Sequence, residues 1–254
     1  MTDQVAAFKA LHMPGDPLVL FNIWDAGSAR AVAKAGAKAI ATGSFGVAEA
    51  QGFADGEDFA IEDALRNLER VISVTDLPVT IDFESGYGAT AAAVGKSVAR
   101  ARAGGAAGIN MEDRMPGETA LLAVGDAAAR IGAAAATGLF VNARCDVFRG
   151  RDAAAEGDAL VAATLERARA YADAGAGGLF VPFLADARVI AAICKSSPLP
   201  VNILWSEPCG DRAALAALGV ARISHGHQPW AAAMAWLGEQ AAGVLGGEVP
   251  PYAA

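Results

Sequence analysis

A short run rich in β-branched residues, followed by a longer Ala-rich stretch, recurs about eight times along this chain, and that alternation limits its fold more than any other feature. The runs are PLVLFNIW (17–24), KAIAT (38–42), PVTIDF (78–83), AGINME (107–112), LFVNAR (139–144), GLFVPF (178–183), PVNILW (200–205) and ARISHG (221–226). Between them, stretches such as EDFAIEDALRNLERVIS and DALVAATLERARAYADAG carry apolar residues at helical spacing, the second ending on a Gly at the expected C-cap. Runs that are apolar throughout suit strands covered on both faces, as in a parallel sheet. Eight such units in 254 residues match the size of a (β/α)8 TIM-type barrel, whereas a doubly wound sheet of that many strands would be long for one domain. The expectation is an α/β fold, a single barrel domain over 1–254. No shift of composition marks a boundary, and the tail GGEVPPYAA reads as a frayed end.

Composition narrows the partners. Acidic residues outnumber basic ones, 28 to 20, for a net charge of −8, and no basic cluster offers a face to phosphates, so nucleic acid and anionic membrane are not expected partners. Charged residues interrupt every apolar run before the roughly 18 residues that span a bilayer. The opening MTDQVAAFKALHMPGD lacks a cationic stretch followed by an apolar block, so no secretory signal is expected and the protein reads as cytoplasmic. Three cysteines, Cys145, Cys194 and Cys209, without C-x-x-C spacing disfavour a disulfide framework or structural zinc, and read as buried thiols of a reducing compartment.

In a barrel of this type the chemistry lies on the loops after the strands. The strand ends carry Trp24-Asp25, Thr42-Gly43-Ser44, Asp82-Phe83-Glu84, Glu112-Asp113-Arg114, Arg144-Cys145-Asp146 and His225-Gly226-His227. Alternation along a strand puts Asp82 and Glu84 on one side, with Glu112 expected at the same level on the next strand. Three carboxylates at one rim repel, and a hard divalent cation such as Mg²⁺ offsets them. Arg144 then clamps a substrate carboxylate, and the Gly43-Ser44 turn offers backbone N–H groups to an oxyanion. The competing structural reading makes Asp82, Glu84 and Glu112 an ion-pair network with Arg114 and Arg144. Asp25 is equally an N-cap, Ser44 a turn residue, His227 a solvated loop residue and Cys145 a packed thiol. His12 lies away from the strand ends and receives no role.

These residues resemble the isocitrate lyase and phosphoenolpyruvate mutase superfamily nearly end to end, most specifically in DFESGYG followed by NMEDR. The resemblance implies a barrel, Mg²⁺ (or Mn²⁺), and cleavage or formation of C–C or P–C bonds beside a 2-oxo or 2-hydroxy carboxylate through a pyruvate-type enolate. By the same resemblance Asp82 ligates the metal most directly, and Glu84, Glu112 and Asp55 hold its waters. Gly43 and Ser44 bind the substrate carboxylate, Arg144 lies near the reacting bond, and His227 matches a His of mutase-like and decarboxylase members. Members commonly form tetramers that exchange C-terminal helices. That implies a homo-oligomer, dimer or tetramer, in which Trp230 and Trp236 serve as interface or core.

Departures from the family pattern narrow the activity. Lyases acting on isocitrate or methylisocitrate carry K-K-C-G-H after strand four, where this chain reads EDRMPGETALLAVG, with no Cys and no His. Mutases and phosphonopyruvate hydrolases carry Asn-Ser or Asn-Thr there and a His after strand six, against Glu118-Thr119 and Pro182 here. The expectation is therefore a Mg²⁺-dependent C–C lyase or decarboxylase on a small 2-oxo dicarboxylate such as oxaloacetate. The alternatives are P–C chemistry of the phosphonopyruvate hydrolase or mutase kind, and a non-catalytic binder of 2-oxo acids. An aldolase-type barrel would need a Schiff-base Lys at a strand end, and none of the eight provides one.

Overall fold

The computed structural model describes residues 3–250 and 252; positions 251, 253 and 254 of the tail expected to fray lie outside the described residues. Each run contains a strand: β1 (Leu18–Leu20), β2 (Ile40–Ala41), β3 (Val79–Asp82), β4 (Gly108–Glu112), β5 (Phe140–Arg144), β6 (Gly178–Val181), β7 (Val201–Leu204) and β8 (Arg222–Ser224). The helices are α1 (Gln4–Ala10), α2 (Ala26–Lys34), α3 (Ser44–Glu49), α4 (Ile61–Ile72), α5 (Ala91–Ala103), α6 (Val124–Ala135), α7 (Ala153–Asp173), α8 (Ala187–Ser196), α9 (Arg212–Ala217) and α10 (Gln228–Leu245). The strands pair in parallel in the order β1-β8-β7-β6-β5-β4-β3-β2. A parallel bridge from Ile23 to Thr42 closes the ring between β1 and β2. The fold is the expected (β/α)8 barrel, nearly closed.

The strands are shorter than the runs because the flanking residues turn out of the sheet at the rims. β6 stops at Val181, where Pro182 has no N–H to continue the ladder. Outward side chains Ile109, Val141, Leu179 and Ile203 are fully buried in one core with Leu68, Val98, Ile131 and Ile190 of the surrounding helices, each worth about 1.5–3 kcal/mol of burial. Helix α7 begins at Ala153, upstream of the expected stretch, because the Asp152 side chain accepts from the amides of Ala154 and Ala155. It ends as expected, with Gly175 at φ 98° just past the cap.

The inner face departs from the expectation of strands apolar on both sides. Asn110, Asn142 and Asn202 within their strands, and Arg222 and Ser224 at the two ends of β8, are buried inside the barrel. Asn142 and Arg222 both donate to Asn110 Oδ1, at 2.9 and 3.0 Å, and Asn202 donates to Ser224 Oγ at 3.1 Å. Below this layer α1 plugs the lower mouth: Phe8 packs with Leu18, Leu20, Ala39, Ala41 and Phe140.

Helix α10 packs only its start. Trp230 stands edge-on to Phe45, and a Cβ on Gly46 would lie 3.0 Å from Trp230 Cβ. Beyond that, Met234, Trp236, Leu237, Val244 and Leu245 are exposed, so in this protomer Trp230 is half-buried and Trp236 is outside the core. Among the described residues no helix is long and apolar enough to cross a membrane.

Candidate active site

The upper rim gathers most of the residues named at the strand ends around two neighbouring cavities that share lining residues. An inner one of about 170 Å³ is lined by Asp82, Gly43, Ser44, Arg144 and His227 among others. An outer one of about 580 Å³ is lined by Glu84, Glu112, Arg114, Glu118 and Thr119. Asp55, Arg144 and Arg149 line both.

Asp82 ends β3 beneath the inner cavity. Its amide donates to Thr42 Oγ1 at 3.0 Å and its Oδ2 accepts from the Ser44 amide at 3.2 Å, while its Oδ1 is buried without a hydrogen-bond partner. Burial raises its pKa, against the pull of Arg144, and Asp55 adds repulsion. The Gly43-Ser44 turn thus points one N–H at Asp82. Gly43 itself is fixed by close approach, since a Cβ there would lie 3.2 Å from the Gly226 carbonyl oxygen.

The three carboxylates do not share a level. In the β3–β4 register Asp82 faces Asn110, so Glu112 sits one inward position higher, opposite Arg144 of β5. Glu84 lies past the end of β3 in a left-handed turn, φ 47°, so strand alternation does not place it. Glu112 is paired, accepting from Arg144 Nη1 at 2.6 Å and lying 3.5 Å from Arg114 Nη2. Glu112 thus makes the ion pairs that the competing reading expected of all three carboxylates. Asp82 and Glu84 form no such pair among the described residues. Burial first, then Asp82 and Asp55, push Glu84 up to about 8. Burial also raises Glu112, to about 7, despite Arg144.

Several participants had no place in the sequence reading. Glu57 clasps the segment after strand two onto the rim: its Oε1 accepts from Ser85 Oγ (2.6 Å) and from the amides of Ser85 and Tyr87 (3.0 Å each), and its own amide donates to Glu84 Oε2 at 2.7 Å. Asp146 holds the Arg144 fork, accepting from Nε at 2.6 Å and Nη2 at 3.0 Å. Burial would lower the Arg144 pKa, but Glu112 and Asp146 outweigh it and hold it raised. Asp113 anchors the segment after β4, accepting from Arg167 (3.1 Å), Tyr171 (2.8 Å) and the Asp146 amide (3.0 Å). Arg222, fully buried on the barrel axis, keeps Nη1 without a partner; burial lowers its pKa to about 9, opposed by Asp82. The described non-glycine residues at positive φ, Glu57, Glu84, Tyr87 and Phe183, all lie at this rim, where strain of order 1–3 kcal/mol each is held by the surroundings.

Among the remaining candidates, Asp25 is an N-cap, in a capping box with Ser28. Cys145 is a packed thiol whose pKa burial raises. His227 stands at the inner cavity, its ring 5.5 Å from Phe45. Among the described residues no three His, Cys, Asp or Glu side chains converge closely enough to enclose a metal alone. The unpartnered Asp82 Oδ1, with raised carboxylates above it, fits a hard cation held by one carboxylate and otherwise by water.

The family model for phosphoenolpyruvate phosphomutase matches residues 8–245. The crystal structure of a phosphonomutase candidate from Burkholderia cenocepacia J2315 superposes with a TM-score of 0.91 at 47% identity, over 96% of this chain and 98% of that one. A 2-methylisocitrate lyase of Salmonella typhimurium is 29% identical over 77% of this chain and 68% of its own. An oxaloacetate decarboxylase of Bradyrhizobium sp. is 30% identical over 75% of this chain and 66% of its own.

Proposed function

We propose that this chain, which belongs to the isocitrate lyase and phosphoenolpyruvate mutase superfamily of lyases and mutases, is a Mg²⁺-dependent carbon–carbon lyase that decarboxylates a small 2-oxo dicarboxylate such as oxaloacetate. The observation that carries the reading is Asp82: a carboxylate that lines a cavity sized for a small acid and has one buried oxygen without a protein partner. Mg²⁺, or Mn²⁺, held there by Asp82 and through waters by Glu84, Glu112 and Asp55, would supply Lewis-acid polarisation of the 2-oxo group.

The chain's own residues do the rest. Gly43 and Ser44 border the cavity where the substrate carboxylate lies, and Arg144, locked by Glu112 and Asp146, presents a fixed positive charge to the reacting bond. When the C3–C4 bond breaks, CO₂ leaves, its electron pair remains as the pyruvate-type enolate, and a proton from water or His227 completes pyruvate at C3. The connection 113–123 is bridged from Arg114 to Leu121, and it brings Glu118 and Thr119, but no thiol or imidazole, to the outer cavity. A glyoxylate-forming cleavage needs a positioned acid, worth about 10²–10⁴-fold, and this loop provides no thiol for it.

The likeness to the phosphonomutase candidate favours P–C chemistry as a second reading. A panel of oxaloacetate, phosphonopyruvate, isocitrate and methylisocitrate with Mg²⁺, followed by product identification, separates them: pyruvate with CO₂ supports the decarboxylase, phosphate or a rearranged phosphate ester the second reading, glyoxylate the tricarboxylate lyases. No product from any of them supports a binder. A homo-oligomer is part of the proposal, supported by the exposed apolar residues of α10, and sedimentation velocity tests it.

A further inference from the structure

Three guanidinium groups, Arg114, Arg144 and Arg149, surround the buried Asp146 carboxylate, and they are not equivalent. Arg144 spends its fork on Asp146 and Glu112. Arg114 donates to the Glu118 carbonyl at 2.6 Å and lies 3.4 Å from Asp146 and 3.5 Å from Glu112. Both are largely buried. Arg149 approaches Asp146 no closer than 3.7 Å, and its side chain is 49% exposed. It lines both the inner and the outer cavity.

What holds Arg149 there is an aromatic ring. Phe183 follows β6 at φ 63°, a left-handed conformation that is a genuine outlier for a bulky residue. It is 48% exposed, so two unfavourable features coincide at one position. The consequence is geometric: the ring lies 5.3 Å from the Arg149 guanidinium and 5.8 Å from that of Arg144, distances at which a cation is attracted to the ring face. Strain of this kind persists where surrounding structure enforces it, typically at ligand clamps. Arg144 and Arg114 are engaged by Glu112, Asp146 and the Glu118 carbonyl, so among these three guanidiniums Arg149 is the one left largely free to face the cavities. The opposite wall, with Asp82, Glu84 and Asp55, is negative.

We infer that Arg149, aimed by Phe183, is the specificity-determining residue that receives a second anionic group on the substrate, so that the site selects 2-oxo acids with a charged tail over those without one. This rests on the lyase reading, in which the 2-oxo carboxylate head lies toward Asp82. A guanidinium fork donates equally well to a carboxylate or a phosphonate oxygen pair, and the tail's identity is left to the test.

The test is calorimetric binding to the Mg²⁺-loaded protein of oxalate, an analogue of the head alone, and of malate and 3-phosphonopyruvate, which carry a carboxylate and a phosphonate tail. Loss of a charge-assisted contact predicts that Arg149→Met weakens the better-bound tailed ligand about 10- to 100-fold while oxalate binding is unchanged, with Arg149→Lys between. The tighter of the two tailed acids in the wild type names the tail. An Arg149→Met protein with an unchanged ratio of tailed ligand to oxalate overturns the inference, as does a wild type that binds oxalate but neither tailed acid. A wild type that binds none of the three with Mg²⁺ contradicts the lyase reading itself, and the inference falls with it.

Discussion

The two mouths of this barrel bury titratable groups in opposite ways. At the lower mouth His12 stacks on Phe140 at 4.3 Å and meets Phe8 edge-on at 4.8 Å, its Nδ1 2.9 Å from the Phe8 carbonyl oxygen. Burial first, then Arg222, lowers its pKa to about 3, so the ring is neutral and the plug is effectively apolar. At the upper mouth Asp82 and Glu84 are raised by burial, and among the described residues neither forms an ion pair, although Arg144 pulls on Asp82 from a distance. One end has removed its charge; the other has kept acids that the protein itself does not satisfy. The plug tolerates one unpartnered neutral atom, His12 Nε2, whereas unsatisfied acids are what a site for a cation and an anionic substrate requires.

The largest effect that bears on this contrast is expected from Asp82→Asn. Losses among groups outside a metal's direct ligands reach about 10- to 100-fold, and removal of the one buried oxygen aimed at the cation is expected to exceed that in Mg²⁺-dependent turnover. The metal-free variant is expected to melt no lower than wild type, since an unpaired buried carboxylate has been removed. Metal-titrated assays with thermal melts read both. Wild-type metal dependence in this variant would make the upper mouth a structural charge network.

Phe8→Ala at the other end is expected to cost about 3–5 kcal/mol of stability, seen in denaturant unfolding, and to leave Mg²⁺ affinity unchanged. A change in both would mean the two mouths are coupled through the polar layer of Asn110, Asn142 and Arg222. Arg144→Lys is expected to lose about 2 kcal/mol in kcat/KM, because an ammonium cannot occupy Asp146 and Glu112 with a planar fork. Steady-state kinetics at wild-type level would remove Arg144 from the chemistry.

A smaller effect separates the mouths by pH. The folded pKa of His12, about 3, lies below the ordinary 6.5, so between these values the unfolded chain takes up a proton that the fold refuses. Its contribution is present above pH 6.5 and is lost as pH falls toward 3, by up to about 1.4 kcal/mol per unit. Glu84 and Glu112, raised to about 8 and 7, act in the opposite direction: the metal-free protein loses stability as pH rises from about 4.5 through those values. The difference between wild type and His12→Phe, taken from denaturant curves at pH 7, 6 and 5, isolates the lower mouth. A difference that does not vary with pH would show that His12 is not held neutral.

The eight strands were legible because each is a short apolar run between turn residues, and the site was legible where a residue ends a strand: Asp82, Glu112 and Arg144 are the last residues of β3, β4 and β5. Residues beyond the strands were not, because loop conformation decides them. Nothing in FADGEDF announces that Glu57 turns back to bind the Ser85 and Tyr87 amides, nor in FVPFL that Phe183 adopts φ 63°. The polar interior did leave a signal. A lone Asn in the middle of GINME, FVNAR and VNIL, and the Arg-x-Ser of β8, fall on one face of each strand by alternation. Asp146, two residues after Arg144, marks the partner that locks it.

The central claim is that the upper mouth is built around a divalent cation for enolate chemistry on an acid with a second anionic group. The most direct measurement is pyruvate release from oxaloacetate by the exhaustively chelated protein, before and after Mg²⁺ is restored, against the metal's own background. Release that vanishes on chelation and returns above background with Mg²⁺ or Mn²⁺ is the predicted result. Pyruvate release undiminished by chelation, or no release above background with the metal restored, would contradict it.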